Sequence, residues 1–127
     1  MTKKILIIDD DPDFVEATTI VLEANGYTVV SAQDGQQGYE RLKTDMPDMV
    51  LLDVMMTYDS EGFDLARKLK DDTSTKNIPV IVITSISRVM DLPFGFESDE
   101  DWLPSKNILE KPIKPQLLLS MIGDALK

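Results

Sequence analysis

The feature that most constrains this chain is an alternation: short, largely apolar runs are separated by stretches whose apolar residues recur at helical spacing. The runs are Ile5-Leu6-Ile7-Ile8, Tyr27-Thr28-Val29-Val30, Met49-Val50-Leu51-Leu52 and Val80-Ile81-Val82-Ile83. Runs of this length are too short for a core helix and read as strands buried on both faces. Between the first two, Phe14, Thr18, Val21 and Leu22 fall on one helical face. Asp11 is placed to cap that helix, with Pro12 at its first turn and Asn25-Gly26 as its stop. Helices are likewise predicted over Asp34 to Thr44, Gly62 to Asp71 and Pro115 to Leu126, the last with Leu118, Met121, Ile122 and Ala125 on one face. A fifth, weaker strand is predicted over Asn107 to Glu110.

Strands alternating with helices imply right-handed crossovers and an open parallel sheet with helices on both sides, an α/β architecture. The 127 residues suit one compact domain, with no internal repeat and no interdomain linker. The least regular part runs from Ser85 to Lys106. Ile86 to Leu92 suits a short helix, but Pro93, Gly95 and Pro104 interrupt any continuation. Beyond it, Glu97, Asp99, Glu100 and Asp101 form an acidic loop beside Trp102, and with Phe94 and Phe96 nearby that loop is a candidate partner surface.

Composition narrows the function. Lys plus Arg total 13 against 23 for Asp plus Glu, a net charge of -10 that disfavours contact with a nucleic-acid backbone. Without cysteine there is no disulfide, thiolate zinc site or Cys nucleophile, and without histidine the commonest general base and metal ligand is missing. Met1-Thr2-Lys3-Lys4 followed by four apolar residues is neither a signal peptide nor a membrane span, so the expected location is the cytoplasm.

Chemistry collects where the apolar runs end. Asp9-Asp10 follow the first, Asp53 the third, Thr84-Ser85 the fourth and Lys111 the fifth. In a doubly wound parallel sheet ligands bind beyond the carboxyl ends of the strands, so these side chains are expected on one rim. Three neighbouring carboxylates repel unless a cation compensates. Oxygen-only ligands favour a hard ion, and Mg2+ commonly pairs one or two carboxylates with a phosphate oxygen. An aspartate oxygen beside such an ion suits in-line attack on a phosphoryl group. Asp11 reads as a helix cap rather than a ligand.

Over essentially its whole length the chain resembles the receiver domains of bacterial-type two-component response regulators. The resemblance rests on Asp9-Asp10, on Asp53 followed by Val54-Met55-Met56, on Thr84-Ser85 and on Lys111-Pro112. It implies a flavodoxin-like five-stranded sheet of order 2-1-3-4-5, with residues 1–127 forming one receiver domain and leaving no room for a separate output domain. It implies that Asp53 becomes the aspartyl phosphate. Mg2+ would be held directly by Asp10, Asp53 and the Met55 backbone carbonyl, and by Asp9 through water. Thr84 would bond the phosphoryl oxygen, Lys111 would pair with it, and the Lys111-Pro112 bond would be cis. The implied partners are a sensor histidine kinase or phosphotransfer protein and a downstream protein. Neither nucleic acid nor membrane is an implied partner, and self-phosphorylation with slow self-dephosphorylation is the only expected turnover.

Three departures mark this sequence. Thr57 stands where many receivers have proline and Gly62 comes one residue late, Ile108 occupies the place of the aromatic switch residue, and the interval from Thr84 to Lys111 is a few residues longer than in typical receivers. The departures at Thr57 and Ile108 suit a competing reading, an interaction module that has lost phosphorylation-dependent switching. A metal-dependent aspartyl phosphohydrolase is a further alternative. Such enzymes commonly carry a second acid two residues after the nucleophile, where this chain has Met55. A flavodoxin-like cofactor binder fits least, because the turn Asp9-Asp10-Asp11-Pro12 lacks the glycines that approach a phosphate.

Overall fold

In the computed structural model, the structure describes residues 3–53, 78–84, 108–110 and 113–126. Five strands, β1 (Lys4–Ile8), β2 (Thr28–Ala32), β3 (Met49–Asp53), β4 (Val80–Thr84) and β5 (Ile108–Glu110), form one sheet of order β2-β1-β3-β4-β5. All four pairings are parallel, as the alternation with helices requires. The described helices are α1 (Pro12–Ala24), α2 (Gly35–Asp45) and α3 (Pro115–Ala125).

Period-two alternation along the strands sorts the core into two layers. Ile5, Ile7, Met49, Leu51, Ile81 and Ile83 join Leu22 of α1 and Leu118 and Ile122 of α3 in one buried cluster, and α1 touches α3. Leu6, Ile8, Val50, Leu52 and Val82 alternate with them and are also fully buried. On their side α2 covers the sheet, with Gly38 against Ile8. Burial on both faces therefore holds for β1 and β3, whose described side chains are nearly all enclosed. It does not hold for β2, where Thr28 and Ser31 are exposed because this strand is the edge of the sheet.

The β2 boundaries also differ from the expected run, Tyr27 to Val30. The Tyr27 N–H donates to the carbonyl of Leu22 at 3.1 Å, so this residue completes the end of α1. At its other end the strand continues because Ser31 and Ala32 pair with Ile7 and Ile8. Helix starts match their sequence signals. Asp11 Oδ1 accepts from the N–H groups of Asp13 and Phe14 at 3.1 and 3.3 Å, and Asp34 Oδ1 accepts from Gln37 N–H at 2.8 Å. Helix α1 stops at Asn25, whose side-chain amide donates to the Val21 carbonyl at 2.8 Å, and Gly26 then takes a φ of 91°. Helix α2 stops on a left-handed residue that is not glycine, Met46, with φ 48°.

The helix expected over Gly62 to Asp71, the short helix over Ile86 to Leu92, the acidic loop with Phe94, Phe96 and Trp102, and the cis Lys111-Pro112 bond lie outside the described residues.

Candidate functional site

Neighbouring strands bring the acids together. Strands β1 and β3 pair in register, Ile8 opposite Leu52, so the next residue on each, Asp9 and Asp53, emerges at the same level of the carboxyl edge. Asp9 keeps one more sheet bond, its N–H donating to the Ala32 carbonyl at 3.0 Å. Asp53 is the last residue of β3 rather than the first beyond it. Oxygen atoms of Asp9, Asp10 and Asp53 all lie within 4.8 Å of one another. Asp9 and Asp53 are 2% and 3% exposed, whereas Asp10 faces solvent.

Burial makes this cluster costly for the protein alone. Carboxylate oxygens within 4.8 Å of one another repel by about 3 kcal/mol or more at an effective dielectric constant of about 20. The start of α1 points its N–H groups back toward this rim, but a helix N-terminus offsets only about 0.3–1 kcal/mol. A hydrogen bond from Asp11 N–H to Asp9 Oδ1 at 2.9 Å adds to that compensation. A divalent cation would add compensation on the scale of that repulsion. Opposite oxygens across a magnesium ion are about 4.2 Å apart, so the cluster is close to the span of one coordination shell. The donors are oxygens alone and the chain holds no histidine or cysteine, which fits a hard cation.

Of the residues singled out in the sequence, Asp9, Asp10 and Asp53 come together as expected. Thr84 ends β4, the strand next to β3, with Ile83 paired to Asp53 and Thr84 paired to Glu110. Its backbone is therefore one step from Asp53 along the same edge. Met55, Thr57, Gly62, Ser85 and Lys111 lie outside the described residues, although Lys111 directly follows the last residue of β5. Asp11 is the expected cap, and the structure adds a contact that capping does not foretell, its own N–H on Asp9. Gly38 was not legible as part of this region. Its signal is a glycine inside a helix, and what it meets is Ile8, the residue before Asp9.

The sequence matches the response regulator receiver domain family over residues 5–123. It is 32% identical over 127 residues to the DNA-binding response regulator MtrA of Mycolicibacterium smegmatis, spanning all of this chain and 52% of that protein. To the response regulator PleD of Caulobacter vibrioides it is 37% identical over 122 residues, spanning 96% of this chain and 26% of that protein. The chain thus spans about half the length of the first relative and about a quarter of the second. A crystal structure of a CheY-like response regulator receiver domain protein from Methanospirillum hungatei superposes with a TM-score of 0.83 at 25% identity, covering 99% of this chain and 94% of that one.

Proposed function

The chain belongs to the response regulator receiver domain family of two-component signalling, and from that membership we propose that Asp53 accepts a phosphoryl group from a histidine kinase or phosphotransfer protein. The observation that carries the assignment is the buried Asp53 carboxylate held within 4.8 Å of two further acids at the carboxyl edge of the sheet. A carboxylate oxygen of Asp53 attacks phosphorus in line, the bond from phosphorus to the donor atom breaks, and the phosphoryl group leaves the donor. Asp10, Asp53 and the Met55 carbonyl would hold Mg2+, with Asp9 contributing through water. When bound, the ion offsets the negative charge gathered by the three acids and the incoming phosphoryl group.

The protein's own groups do the rest. Asp9 and Asp53, enclosed by the ends of β1 and β3, are fixed in direction by the sheet. Thr84, the last residue of β4, and Lys111, which follows β5 in the sequence, are assigned to the phosphoryl oxygens, one as a hydroxyl donor and the other as the cation. Output passes to a downstream protein. Among the described residues no helix is long and apolar enough to cross a membrane.

Incubation with magnesium and acetyl phosphate, read by intact mass, tests the assignment. Wild type is expected to gain one phosphoryl group and Asp53→Asn none. Labelling of Asp53→Asn at the wild-type level would refute it.

A further inference from the structure

Asp11 stands outside the three-acid cluster, yet it ties the cluster to the core. Its N–H donates to Asp9 Oδ1 at 2.9 Å. Its own Oδ1 accepts from the N–H groups of Asp13 and Phe14 at 3.1 and 3.3 Å, and its carbonyl accepts from Val15 N–H at 3.1 Å. Phe14 and Val15 in turn pack against the buried cluster that contains Leu22. The helix is therefore anchored, and the torsions of Asp11 decide where its N–H points. Asp11 is extended, with φ -95° and ψ 103°, a backbone that suits both a residue before proline and a helix cap.

We propose that Asp11 is a positioning residue for the magnesium site: its side chain clamps the start of α1, and that clamp aims the N–H that holds the Asp9 carboxylate. The proposal rests on reading the Asp9, Asp10 and Asp53 cluster as a magnesium site. Asp11 does not bind the ion. It acts as the hydrogen-bonding partners behind a ligand act, by fixing that ligand's orientation.

Four substitutions separate capping from charge. Asn and Ser cap as well as Asp but carry no charge, whereas Glu keeps the charge and caps poorly. Asp11→Asn and Asp11→Ser are expected to bind magnesium nearly as wild type does, and Asp11→Ala and Asp11→Glu about tenfold more weakly. Calorimetric titration with magnesium chloride, without any phosphodonor, reads this directly. Asn25→Ala is the control for helix stability, because it removes the side-chain bond to Val21 at the far end of α1. It is expected to lower the melting temperature and leave magnesium affinity unchanged.

If Asp11→Glu binds as wild type and Asp11→Asn does not, charge is the cause and the positioning role is overturned. Equal weakening by Asn25→Ala and Asp11→Ala would reduce the effect to helix stability and overturn it as well. Asp53→Ala in the same titration keeps the two levels apart. Wild-type affinity in that variant removes the magnesium site itself, and the proposal with it. Loss of binding there, with every Asp11 variant at wild-type strength, removes the positioning role alone.

Discussion

Gly38 sets how closely α2 lies on the sheet. A Cβ at this position would stand 2.5, 2.9 and 3.1 Å from Cδ1, Cγ1 and Cγ2 of Ile8, so the branch of the isoleucine and not only its tip would have to move. Overpacking of this kind costs about 1–3 kcal/mol, and alanine recovers about 1 kcal/mol through its better helix propensity. Gly38→Ala is therefore expected to lower stability by up to about 2 kcal/mol, measured by urea unfolding. Unchanged or greater stability would show that Ile8 yields freely. The three acids were legible because each follows, or ends, a run too apolar to lie anywhere but in the sheet. Gly38 was not, because a glycine at mid-helix looks the same in sequence whether its missing side chain faces solvent or a strand.

Among the elements, the strand centres were readable and so were some of the ends, such as Ile8, Met49 and Val80, but both ends of β2 were not. A four-residue apolar run announces a buried strand, but its termini are set by bonds to other parts of the chain. Tyr27 is drawn off by the end of α1, while Ser31 and Ala32 are drawn in by β1. The exposure of Thr28 and Ser31 in β2 has the same origin, since the strand's place at the edge depends on the strand order and not on its own residues. The end of α2 was read without its cost. Met46 adopts the left-handed conformation with its side chain 61% exposed, so little packing compensates the backbone. Met46→Gly is expected to stabilise the protein by about 0.5–1 kcal/mol, a rise in the thermal midpoint that calorimetry detects. A fall would mean that Met46 makes contacts worth more than the torsion costs.

For the whole molecule, the net charge of -10 and the three converging acids act in the same direction, against the compact state. Asp10→Asn is expected to raise the thermal midpoint in the absence of divalent ions. Magnesium at a hundred times its dissociation constant should stabilise wild type by about 2.7 kcal/mol, and Asp10→Asn by much less. A wild-type midpoint indifferent to magnesium would contradict this. The strand order carries a consequence for synthesis as well. Residues 4–53 hold β1, α1, β2, α2 and β3, so β1 has both of its neighbours, β2 and β3, before residue 78 is translated. Chains emerge from the ribosome N-terminus first and fold in units as they lengthen. All three acids are thus in place on a nascent half-sheet, and the last two strands join an edge where the repulsion is already built in.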